Sequence, residues 1–162
     1  MSSRLQPMTA LLPASVLVAM LWPLLPWPER VAWVTPLWLM LVTMYWNLET
    51  GRLRHLGVAF LLGLTFDVLH GGSLGHYALV MVVLVFALNQ YRNRLRFFPP
   101  WQQASLVFVV LSLERLASAF WWVFLDGVWP PALWWMAALT GAALWPWLFL
   151  LLDRLRFRGR RR

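Results

Sequence analysis

The chain has 162 residues, no cysteine, 61% hydrophobic residues and 12% charged residues, against about 25% charged in an ordinary soluble domain. These figures exclude a water-soluble globule, a disordered chain and a disulfide scaffold. The net charge of +8 is carried by arginines clustered between long apolar runs, a distribution that points to a membrane rather than to nucleic acid.

A helix needs about 20 apolar residues to cross a bilayer. Six segments approach that length: 8–26, 31–48, 56–70, 75–91, 101–125 and 131–152. The breaks hold turn and helix-stop residues, such as Pro26-Trp27-Pro28, Gly71-Gly72-Ser73, Pro99-Pro100 and Pro130-Pro131. The first segment lacks a small-residue cleavage site before Pro26, so it reads as a retained span rather than a signal peptide. The third and fourth are short and are expected to form one helical hairpin. Merging 56–91 into something else gives an alternative with fewer spans. The fold class is therefore an all-α polytopic membrane protein of six helices, one membrane domain over 1–162 with a basic tail at 153–162.

Arginine placement sets the orientation. With the N-terminus inside, the cytoplasmic side receives Arg4, Arg52, Arg54, Arg92, Arg94, Arg96, Arg154, Arg156, Arg158, Arg160, Arg161 and Arg162. The outside receives Arg30, and Arg115 falls within a span. The positive-inside rule then puts both termini in the cytoplasm. The terminal arginine run is also expected to rest on anionic inner-leaflet lipid.

Thirteen tryptophans are present. Trp22, Trp27, Trp33, Trp121, Trp122, Trp129, Trp134 and Trp135 fall near the outer interface. Trp46, Trp101, Trp145 and Trp147 fall near the inner one. An aromatic belt accounts for most of them. The excess outside suggests a partner surface, with Trp27, Trp33, Trp121, Trp122, Trp129, Trp134 and Trp135 as its candidates.

Ionisable residues inside spans are costly and need partners. Ala59, Gly63, Asp67 and Gly71 recur every four residues and share one helix face, with Gly75 following. Small residues on a face permit close helix approach; Ala138, Gly141 and Ala142 form a second such stripe, and either stripe could grip a partner helix. Counted from the cytoplasmic ends, Asp67 lies about 17 Å deep and Arg115 about 20 Å deep, so an Asp67–Arg115 ion pair is expected. Glu114 is expected to accept from Ser118 or from a partner. A proton or ion relay is the functional alternative.

Gly71-Gly72-Ser73-Leu74-Gly75 matches a nucleophile elbow in letters only, because an apolar helix rather than a strand precedes it. The better role for its glycines is a tight turn, with Ser73 capping the next helix. Asp67, His70 and His76 do not match zinc-ligand spacing. No nucleotide motif is present. Neither a cofactor nor a metal is called for, and no catalytic constellation is found.

Several pieces occur together in order: Leu25-Pro26-Trp27-Pro28, Pro36-Leu37-Trp38, Tyr45-Trp46, Gly63 to Asp67 running into Gly71-Gly72-Ser73-Leu74-Gly75, Trp101-Gln102-Gln103, and Leu144-Trp145-Pro146-Trp147 with Phe149-Leu150-Leu151. In this set the chain resembles the rod shape-determining MreD family, most of all its proteobacterial branch. The resemblance implies a non-enzymatic, multi-pass inner-membrane scaffold of the cell-elongation complex. It implies association with MreC, and through MreC with the filament MreB and the cell-wall polymerase and transpeptidase pair. Homodimerisation is a further option, and nucleic acid is not a partner. The family fold is thought to resemble the six-helix substrate-binding component of vitamin transporters, which supplies the alternative function of small-molecule binding.

Overall fold

The computed structural model describes residues 6–49, 53, 55–71 and 74–158. Gly72 and Ser73, with Arg4, Arg52, Arg54 and Arg160 to Arg162, lie outside the described residues. The elements are α1 (Gln6–Leu21), a 3-10 turn (Trp22–Leu24), α2 (Glu29–Val34), α3 (Trp38–Glu49), α4 (Leu56–His70), α5 (His76–Leu95), α6 (Pro100–Asp126) and α7 (Ala132–Arg158). Among the described residues there is no strand. Three stretches are long and apolar enough to cross a membrane: Glu29–Glu49, Pro100–Leu125 and Ala132–Phe157.

The stretch expected as one helix over 31–48 is broken into α2 and α3. Pro36 lacks an N–H and forces the preceding residue out of the helical region. Thr35 is accordingly extended, at φ −69° and ψ 133°. The break is held by α7, where Thr140 Oγ1 donates to the Val34 carbonyl at 2.6 Å. The carbonyl that α2 leaves open at its end is thereby satisfied.

Beyond the break, α3 occupies the centre. Every residue from Leu39 to Leu48 is buried. A helix apolar on most of its surface can be surrounded on all faces, and α1, α5 and α7 pack around it. Trp22 meets Trp38 edge-on at 5.8 Å, and Trp46 Nε1 donates to Ser15 Oγ at 2.9 Å, so α1 runs antiparallel to α3. At the other end of α3, Arg92 Nε donates to the Asn47 carbonyl at 2.8 Å. Beside it, Arg156 Nη1 pairs with Glu49 Oε2 at 2.7 Å. The C-terminal ends of α3, α5 and α7 therefore meet, and the arginines of α5 and α7 gather at one end of the bundle. The 71–75 and 127–131 turns lie at the opposite end.

The interior is filled with aromatic and aliphatic side chains. Trp46 and Trp145, expected in an inner aromatic belt, are instead fully buried. Their indole N–H groups explain how: one bonds Ser15, the other donates to Gln103 Oε1 at 3.3 Å. A buried indole is tolerated when its N–H finds a partner. Gln103 in turn donates to the Leu95 and Phe98 carbonyls, closing the turn between α5 and α6. Trp101 and Trp147 remain exposed, as belt residues do.

Candidate functional site: a polar chain from the α4–α5 hairpin to α7

The hairpin rests on two residues of the α4 stripe. Gly63 lies against the backbone of α5, where an added Cβ would overlap the Tyr77 carbonyl oxygen and Ala78 Cα. Those are backbone atoms and cannot rotate away, so the helices can approach this closely only with glycine here. One turn on, Asp67 is 1% exposed. Its carboxylate accepts from the backbone N–H groups of Gly75 at 2.9 Å, Tyr77 at 3.0 Å and Ala78 at 3.3 Å. It thus caps the start of α5 from the neighbouring helix. The negative charge sits at the positive end of the helix dipole and satisfies donors that no α5 residue serves. Gly71 and Gly75, at φ 63° and 99°, supply the left-handed turn between the helices.

The Asp67–Arg115 ion pair expected from matching depth is not formed. Asp67 spends its oxygens on α5, and Arg115 Nε lies 3.4 Å from Glu114 Oε2. Neighbouring positions on a helix diverge by about 100°, but the long arginine side chain folds back across that angle. The guanidinium of Arg115 also sits 4.5 Å above the Trp134 ring, so an aromatic face of α7 shares in stabilising the cation. Ser118 Oγ donates to Glu114 Oε1 at 2.8 Å, the intrahelical bond that the i, i+4 spacing suggests.

One contact was not legible in the sequence. His76 Nε2 lies 2.8 Å from Ser118 Oγ, joining α5 to α6. Because the serine proton is committed to Glu114, the imidazole must donate here, which fixes a proton on Nε2. The result is a continuous line: His76, Ser118, Glu114, Arg115, Trp134. In a hydrolytic triad the imidazole stands between hydroxyl and carboxylate; here the hydroxyl stands between the other two. That order activates no nucleophile and suits a structural strut. His70 is elsewhere, stacked on Phe66 at 3.9 Å with Nδ1 donating to the Phe66 carbonyl at 2.9 Å. Among the described residues no group of three His, Cys, Asp or Glu could hold a metal ion.

The second small-residue stripe is also turned inward. Ala138 is buried, and a Cβ on Gly141 would meet Leu111 of α6 and Pro36 at the α2–α3 break. Ala142 beside them is half-buried. The outer tryptophans divide into groups. Trp22 packs on Trp27 at 5.1 Å, and Trp33 is half-buried. Trp134 stacks on Trp122 at 5.7 Å and meets Trp135 edge-on at 5.4 Å, Trp121 leans on His76 at 5.5 Å, and Trp129 lies 6.3 Å from Phe120. Trp134 is buried, whereas Trp27, Trp121, Trp122 and Trp129 remain open to the surroundings.

A family model described as the rod shape-determining protein MreD matches residues 5–155. The rod shape-determining protein MreD of Haemophilus influenzae is 34% identical over 149 residues, covering 86% of each chain. No solved structure matches. The chain belongs to the MreD family of rod shape-determining proteins.

Proposed function

We propose that the protein is a multi-pass inner-membrane scaffold of the cell-elongation complex, with both termini in the cytoplasm, that binds MreC and through it serves MreB and the cell-wall polymerase and transpeptidase pair. Family membership supports the role in rod shape. The sidedness rests on the arginines gathered where α3, α5 and α7 end, an end also suited to anionic lipid.

The observation that carries the scaffold reading is the interior. A small-molecule carrier needs a concave site with converging polar groups. Here the interior around α3 is filled by Tyr45, Trp46 and Trp145, and Gly63 and Gly141 pack inside the bundle. The aromatic end of α6 and the turn after it offer a surface for a partner. Trp121, Trp122 and Trp129 are exposed there above a strut that fixes their backbone. Large, stiff aromatic side chains are effective anchors for a partner segment.

Replacing Trp121, Trp122 and Trp129 together by leucine tests this. The account expects membrane insertion and helix content to persist while rod shape and co-purification with MreC are lost. Intact shape and intact MreC recovery would remove this surface from the mechanism.

A further inference from the structure

Between α5 and α6 lies a cavity of about 580 Å³. Its floor is Met40 of α3, and its walls include Leu84 and Leu88 of α5 and Val110 and Leu113 of α6. The two helices are tied together at both ends, by Gln103 at one and by His76 with Ser118 at the other. Between the ties the small residues Ala87 and Ala117 leave the space open. Glu114 closes the far end, with its carboxylate engaged by Ser118 and Arg115, so the walls are apolar. Water has too few polar partners to be stable there.

We propose that this groove holds one acyl chain of an anionic phospholipid, with the phosphate bound at Arg94. Arg94 lines the mouth of the groove beside Tyr91 and Phe98. Unlike Arg92 and Arg156, it has no side-chain partner among the described residues. Arginine between helices at a membrane face pairs well with phosphate. The length of the groove suits an acyl chain. From Arg94 to the level of Val80 is about 21 Å along α5 at 1.5 Å per residue. That exceeds the roughly 15 Å of hydrocarbon in one leaflet.

The test is native mass spectrometry of the full chain released from vesicles of equimolar phosphatidylglycerol and phosphatidylcholine. One phospholipid should be retained per chain, with phosphatidylglycerol favoured about fivefold. Arg94→Gln should keep the lipid and bring the headgroup preference close to unity. Val110→Trp fills the groove and should abolish retention with Arg94 intact. Ala117→Leu gives a milder filling should the tryptophan variant fail to reach native helix content. Absence of a retained lipid in the wild-type chain, equal headgroup retention, or unchanged retention in folded groove-filled variants would overturn the proposal. So would crosslinking of MreC from Leu84, which would place a partner helix in the groove.

Discussion

His76 and Ser118 meet at 2.8 Å across two helices that enclose an apolar groove. The imidazole donates to the hydroxyl, the hydroxyl donates in turn to Glu114, and the hairpin is fixed to α6. In an apolar setting each such bond counts for more than in water, and an orphaned partner is expensive.

Ser118→Ala removes a hydroxyl with bonds on both sides and leaves Glu114 short of a donor. The expected cost is about 1–3 kcal/mol, read as a lowered thermal midpoint of the detergent-solubilised protein. Ser118→Thr keeps the hydroxyl and should retain most of the stability. Serine-directed activity probes should not label Ser118, because its proton is committed to a carboxylate.

Asp67→Ala strips the cap from α5. Caps of this kind contribute about 1 kcal/mol each and charge-assisted ones more, so a loss of about 2 kcal/mol is expected. Asp67→Asn keeps one acceptor and should fall between wild type and alanine. Hydrogen exchange of the first turn of α5 should rise selectively; uniform exchange across the whole bundle would contradict a local cap.

Gly63 and Gly57 form a matched pair on α4. Gly57 has open space where a Cβ would stand, whereas at Gly63 the space is filled by α5 backbone. Gly57→Ala should be neutral or stabilising by up to about 1 kcal/mol, because alanine favours the helix. Gly63→Ala should destabilise by about 1–3 kcal/mol as the hairpin is forced apart. Equal effects at the two sites would show that α4 and α5 are not packed as described.

Arg115 neutralises Glu114 rather than Asp67. The swap Asp67→Arg with Arg115→Asp should therefore restore nothing that the single changes lose. By contrast, Arg115→Met should be more damaging alone than together with Glu114→Gln. The single change strands a buried carboxylate and the double change does not. A thermal-midpoint double-mutant cycle reads the difference.

The helices and their order were legible because the apolar runs are bounded by Pro, Gly and Arg. The four-residue spacing of Ala59, Gly63 and Asp67 marked a face for close helix approach, but not whether α5 or a partner helix would meet it. The role of Asp67 was not legible. Depth matching favoured Arg115 as its partner, but a carboxylate beside a tight turn meets three free backbone donors first, and spacing alone does not show which helix start lies within reach. The same limit applied to Trp46 and Trp145. A tryptophan near a span end reads as an interfacial residue unless the partner of its N–H is known, and Ser15 and Gln103 are far away in sequence. The His76–Ser118 contact depends on how α5 and α6 are placed side by side, for which a single sequence carries no signal.

Site-specific photocrosslinking in living cells tests the scaffold mechanism most directly, with a photoreactive residue placed in turn at Trp122, Trp129 and the exposed α4 position Leu61. The account predicts MreC adducts from Trp122 and Trp129 and none from Leu61. Adducts from Leu61 alone, or none from the two tryptophan positions, would contradict it.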